Sequence, residues 1–401
     1  MFNQMHYSTR IEDYLDAISG CAAFIVAERD YGTIINYRQM GNDVFPDLQL
    51  APDPDTERKW GLRRQCRGLI FDLNGQVISA PYHKFWNAGE RTETLLEHIP
   101  FDQPHVILDK LDGSMCRPVF FSQEGWTMCT KMGPTAVAEN AERWARNHAN
   151  YDRFFWDLHN HGLTPLLEWC SRQNRIVVDY PVDRLVLTAV RDCVTGAYLT
   201  YTQLQELAGE YDLDLVRQFE GSVESMQSLM DHTRDLQDAE GYVVRWLDGH
   251  MVKIKGESYC QIHRAKEGIL RENGVIGMML DEKLDDVKGF LFVEDRDALE
   301  QFETEFWAGV TATADVWRST YVHVRQRFGA DRKAFALGAA QNMDAHQRSA
   351  VFKAWDEPGF DWQAAVLDTV RRNISTGVKT DAARHLWGNA RWDGSRMMGS
   401  E

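Results

Sequence analysis

The chain has no apolar run that approaches a membrane span; Cys21 to Ala27 is among the longest. Its first ten residues, Met1 to Arg10, are polar and hold no secretory h-region. Seven cysteines, an odd number with no C-x-x-C pair, fit reduced thiols and speak against structural zinc. No Gly-Lys dipeptide occurs, which excludes a Walker-type phosphate loop. Basic residues are in deficit: 44 Lys and Arg face 60 Asp and Glu, a formal net charge of −16. A broadly basic surface for non-specific nucleic-acid binding is therefore absent, although an acidic protein can still carry a local basic cleft. The reduced thiols and the missing membrane span lead us to expect a cytoplasmic protein away from membranes; a monomer is expected, although nothing in the sequence reads out the oligomeric state. What is present is a hydrophobic fraction of 44% with 13 Trp over 401 residues, enough for two or three packed domains.

The first two-thirds read as β-hairpins with helices between them. Gly68–Leu73 and Gln76–Ala80 flank Asn74-Gly75, a strong short hairpin signal. Similar pairs flank Arg29–Gly32, Glu124-Gly125, Thr195-Gly196 and Asp248-Gly249. Helical stretches are predicted at about 135–148, 152–159 and 201–211. After about residue 257 the hairpin signals stop. Apolar residues then recur at helical spacing, as in Leu299, Phe302, Phe306 and Val310. The reading is α+β over 1–256, followed by an all-helical domain over 257–401. The tryptophans of the helical part are read as core. Its tail from Arg371 to Arg396 carries six basic residues, which suit either RNA phosphate or a solvated helix face.

The chemistry is concentrated in Lys110-Leu111-Asp112-Gly113-Ser114, which follows the apolar run Val106-Ile107-Leu108. This is a strand entering a tight turn with an amine at its tip. A lysine that attacks phosphorus must first lose its proton, and nearby cations favour that loss. Lys253 and Lys255 in Met251–Lys255 alternate along a strand, so both leave one face. Glu168 sits among Leu166, Leu167 and Trp169, and Glu240 opens Glu240-Gly241-Tyr242-Val243. An acid in an apolar strand is costly unless paired or bound. Removing either acid is thus expected to leave melting little changed or raised. With Asp112, these acids form a candidate Mg²⁺ site, direct or through retained waters. Upstream, the hairpin at Asn74-Gly75 brings Arg67 and Lys84 towards one end, and arginine's planar fork suits phosphate.

The ordered blocks Cys66–Phe71, Lys84–Asn87, Lys110–Ser114, Asn174–Val177, Glu240–Val243 and Lys253–Lys255 resemble the bacteriophage-type single-strand RNA ligases, the RNA ligase 1 family. That family lies within the covalent nucleotidyltransferases. The resemblance spans roughly residues 20 to 260 and implies a nucleotidyltransferase fold with antiparallel sheets around a nucleotide cleft. It implies that Lys110 carries AMP from ATP. It implies that Arg67, Lys84, Asp112, Gly113, Lys131, Glu168, Glu240, Lys253 and Lys255 bind nucleotide, with Asp112, Glu168 and Glu240 serving Mg²⁺ or Mn²⁺. The implied substrates are RNA 5′-phosphate and 3′-hydroxyl ends, in RNA repair, with cleaved tRNA as the natural case and the helical domain selecting it. A phage-encoded member would work in the host cytoplasm. Trp86 and Cys170–Gln173 depart from the family's usual residues and bear on substrate detail. A DNA ligase or capping enzyme shares the lysine chemistry but usually appends an OB barrel, against which the helical pattern speaks. A non-catalytic RNA-binding module would not need this intact set.

Overall fold

A computed structural model describes residues 5–38, 43–174, 176–288, 291, 293–357 and 359–394. The chain divides into two compact units, residues 1–261 and 262–398. No helix of the described residues is long and apolar enough to cross a membrane.

The first unit is built from three four-stranded sheets. β1 (Phe24–Arg29), β2 (Gly32–Tyr37), β3 (Leu69–Phe71) and β4 (Val77–Ser79) form an antiparallel meander. The Asn74-Gly75 turn between its last two strands has Gly75 at φ +75°, a conformation open to glycine. β5 (Trp86–Asn87) and β6 (His105–Lys110) are laid down next as the edges of a sheet completed much later in the chain. β7 (Ser114–Ser122), β8 (Gly125–Cys129), β9 (Leu163–Cys170) and β10 (Arg184–Asp192) make a second antiparallel sheet, in the order β10-β9-β7-β8. β11 (Gly241–Trp246) and β12 (Met251–Lys255) then return to the third sheet, in the order β5-β12-β11-β6. Only the short β5–β12 pairing there is parallel.

Most of the sequence-predicted hairpins appear within a residue or two. The exception is the one at Thr195-Gly196. β10 forms, but residues 198–200 contribute only an isolated bridge from Tyr198 to Arg191. Arg191 explains this. Its buried guanidinium donates to the carbonyls of Gly196 and Pro81 and to Gln65, tying the return segment down without a ladder. The helices Ala136–Arg146 and Ala149–Asn160 close the second sheet with Val137, Ala141, Phe154, Phe155 and Leu158 in one core with Leu167, Leu185 and Leu187. Tyr201–Tyr211 is helical as expected, with Thr200 and Gln203 in a reciprocal capping box. Helices at Pro54–Gln65 and Met226–Arg234 were not anticipated; the first has almost no apolar stripe, and Asp53 caps it.

Among its described residues the second unit holds helices and no strand. Leu299, Phe302, Phe306 and Val310 are buried in one cluster with Trp317, Trp387 and Trp392, so these tryptophans are core. Arg371 and Arg372 pair with Asp281 and Asp368, and Arg384 pairs with Glu272 and Asp381. Half of the tail's basic residues are thereby engaged within their own unit. Arg396 lies outside the described residues.

Candidate active site

β6 and β12 flank β11, and the register decides what meets. Gly241 lies opposite both Lys110 and Lys255. Glu240, one residue earlier, therefore sits between two lysines that come from opposite sides. Its carboxylate accepts from Lys110 Nζ at 2.6 Å through Oε2 and pairs with Lys255 Nζ at 2.8 Å through Oε1. Glu240 is buried, while both lysines keep partial exposure. Gly241 is required beside it: at φ +144° an added Cβ would stand 2.0 Å from the Ile254 carbonyl oxygen.

Lys253 lies on the same side of β12 as Lys255, two residues away. Burial and the neighbouring charges of Lys84, Lys110, Lys255 and Arg67 push its ammonium down to about 7. Lys84 is lowered to about 8, chiefly by burial, opposed by Glu90 and reinforced by Arg67, Arg91 and Lys131. Arg67, Lys84, Lys110, Lys253 and Lys255, from four parts of the chain, are thus concentrated on an acidic protein. Glu168 is half-buried on β9. Desolvation raises its carboxyl to about 7, against the pull of Lys110 and with the push of Glu240. Gly113 lets β9 approach, since a Cβ there would meet the Trp169 carbonyl oxygen at 2.4 Å and Glu168 Cγ at 3.0 Å.

Lys110, Gly113, Glu168 and Arg67 line one open cleft of about 850 Å³, together with Tyr82, Phe85, Val243 and Arg245. Arg67 and Gly113 also line a neighbouring cavity with Lys131 and Thr135. Lys131 is exposed at that second cavity's wall. Arg175 of the Asn174–Val177 block lies outside the described residues. Asn174 is described, and its amide donates to Ser114 Oγ at 2.8 Å.

Asp112 is placed differently from the other acids. It is 2% exposed, and its Oδ2 accepts from the backbone N–H groups of Val177 and Val178 at 2.7 Å each. Its Oδ1 accepts from the Tyr259 hydroxyl at 2.7 Å. These bonds anchor the segment after Asn174 and the start of the helix Glu257–Ile269 to the lysine turn. Such geometry suits a positioning residue. Asp112→Ala should cost about 2–4 kcal/mol in urea unfolding, because two backbone donors lose their acceptor in the interior. Tyr259→Phe should cost only about 1 kcal/mol. An unchanged urea midpoint for Asp112→Ala would mean that the acid is free for another task.

Among the described residues, no group of three or more His, Cys, Asp or Glu side chains is gathered to cage a metal ion. Magnesium does not need one: it keeps several waters and takes one or two carboxylates plus substrate phosphates. Glu168 fits that role, with Glu240 available where a lysine releases one of its oxygens. Sequence reasoning missed Tyr180 and Tyr259 around Asp112, and Arg245 in the cleft. None had a local signal, because Arg245 acquires its position through strand register, Tyr259 through a distant helix and Tyr180 through a loop.

A family model described as RNA ligase matches residues 65–259, just under half of the chain. A putative RNA ligase from Thermovibrio ammonificans is 30% identical over 234 residues, 56% of this chain and 60% of that protein. The chain thus matches about 60% of that relative's length. Among solved structures, an archaeal ATP-dependent RNA ligase gives a TM-score of 0.45 at 16% identity, covering 65% of each chain. A putative ATP-dependent DNA ligase from Aquifex aeolicus gives 0.45 at 16% identity, covering 74% of this chain and 81% of its own. These two structural likenesses are too distant to carry an argument. The segment that builds the cleft, residues 65–259, is the part of the chain that is similar to RNA ligases.

Proposed function

We propose that the protein is an ATP-dependent RNA ligase that works through a lysyl-AMP intermediate. The observation that carries this reading is the Lys110–Glu240–Lys255 cluster, held by strand register beside Lys253, with Lys110 lining a cleft together with Arg67 and Glu168. Lys110 Nζ attacks the α-phosphorus of ATP, a P–N bond forms, and pyrophosphate leaves. The RNA 5′-phosphate oxygen then displaces the lysine and takes the AMP. Finally a 3′-hydroxyl attacks that 5′-phosphorus, AMP leaves, and a phosphodiester remains. Lys84, Lys253, Lys255 and Arg67 oppose the charge that builds on the phosphates, and rigid strands hold Lys110 in line. A divalent ion, when bound at Glu168 and Glu240, would add neutralisation of the triphosphate. The helical unit is assigned to RNA selection, with broken tRNA as the substrate to try first.

Ligation of defined 5′-phosphate and 3′-hydroxyl strands tests the reading, with RNA against DNA and nicked duplex against single strand. Sealing of DNA nicks alone, or no transfer of label from ATP to protein, would refute it.

The depressed lysines give a further expectation. At pH 8 the free Lys253 ammonium, near 7, is mostly neutral, and phosphate binding favours its charged form. ATP binding should then take up about one proton at pH 8 and fewer at pH 6. Calorimetry in buffers of different ionisation enthalpy reads this directly. Lys253→Met should lower the uptake; equal uptake in both proteins would count against a phosphate contact.

A further inference from the structure

Arg245 is 4% exposed, yet neither of its guanidinium Nη atoms reaches a hydrogen-bond partner. A buried cation with idle donors is expensive, so such groups are normally paired. The aromatic hydroxyls of Tyr82, Tyr198 and Tyr201 surround it without forming those bonds. Asp109, which lines the same cleft, is engaged by Arg217 at 3.0 Å.

The strand register says what lies at Arg245's end of the cleft. Along β11, Gly241 faces Lys110 and Lys255, Val243 faces Leu108 and Lys253, and Arg245 faces Val106 and Met251. Val243 and Arg245 both line the cleft, while Tyr242 and Val244 turn into the opposite core. Four strand residues span roughly 13–14 Å, about the length of an extended nucleoside monophosphate. The lysines that suit phosphate gather at the Glu240 end. Tyr82 stands beside Arg245, and Thr188 and Val216 also line the cleft. If Lys110 attacks an α-phosphorus, the base of that nucleotide extends past Val243 towards Arg245.

We infer that Arg245 is the base-binding residue of this cleft, donating its idle N–H groups to the acceptor edge of the purine. A guanidinium offers donors only, so its partners are ring nitrogens such as N1, N3 or N7, never the exocyclic amine. The inference rests on the cleft being the ATP site.

The test is adenylation of the full chain with ATP and with its 1-deaza, 3-deaza and 7-deaza analogues, in wild type and Arg245→Met. Methionine keeps an unbranched stem and removes the donors. The variant should raise KM for ATP by roughly 10–100-fold, the usual size for a lost hydrogen bond to a charged group, with kcat nearly kept. One deaza analogue should be discriminated by wild type and accepted by the variant as readily as ATP. Melting without nucleotide should not fall, since no partner is lost. An unchanged KM, or a wild type indifferent to all three deaza analogues, overturns the assignment. The second outcome needs no folded variant. If wild type takes no AMP from ATP at all, the ATP-site reading falls and this inference with it. Normal labelling with equal KM values in the two proteins overturns the inference alone.

Discussion

Lys110→Met should lose AMP transfer from ATP by at least about 10⁴-fold, because the substitution removes the attacking atom itself and not an auxiliary charge. The stem is kept and the side chain is partly exposed, so little packing is lost. Glu240 keeps Lys255 as a partner at 2.8 Å, so its buried charge is not stranded. The variant should therefore fold and melt close to wild type. Intact protein mass after incubation with ATP and a divalent metal reads the adduct. A second readout separates a lost nucleophile from a damaged cleft. Sealing of an RNA strand already carrying a 5′-adenylate does not need the lysine as nucleophile, so it should survive far better than the complete reaction. A folded Lys110→Met protein that still gains one AMP at the normal rate would move the nucleophile elsewhere.

How much of this was legible in sequence depends on where each residue's position is decided. Lys110, Lys253 and Lys255 were readable because strand alternation and tight turns are local. The two lysines leave one face of β12 whatever the rest of the chain does. Glu168 and Glu240 were readable as acids in apolar strands, and burial has raised Glu168 to about 7 in keeping with that. Their partners were not readable. That Glu240 would lie between two ammonium groups follows only when β6 joins the local β11–β12 hairpin, a pairing set across more than a hundred residues. The surroundings of Asp112 were unreadable for a similar reason. Its place in a lysine motif suggested chemistry, but its hydrogen bonds come from Val177, Val178 and Tyr259, none of them close in sequence. The helix at Pro54–Gln65 escaped because its cap sets it more than periodicity does, and that at Met226–Arg234 because it is only nine residues long. The all-helical second unit was plain, since a repeat of three and four apolar spacings needs no partner to be recognised.

Glu240→Gln should lower both AMP transfer and stability, which reverses the expectation drawn from sequence alone. An acid stranded in an apolar strand would be better removed, but Glu240 is not stranded: it holds Lys110 at 2.6 Å and Lys255 at 2.8 Å. Glutamine keeps the shape and one acceptor and deletes the charge. Lys110 and Lys255 then face each other uncompensated, with Lys253 nearby. Breaking a buried pair costs more than an exposed one, but these lysines reach water, so the loss should be about 1–2 kcal/mol. Because the new penalty is repulsion between like charges, added salt should raise the variant's melting temperature more than that of wild type. Removing one of the crowded cations as well, in Glu240→Gln/Lys255→Met, should return most of the lost stability. It should not return activity. AMP transfer should stay down by about 10²-fold or more, since a group that orders Lys110 and supports the phosphate charge is missing in both proteins. Recovered stability without recovered chemistry is the pattern that marks Glu240 as an organiser of the reacting lysine. A Glu240→Gln protein that melts and labels like wild type would show the cluster to be an ordinary ion pair.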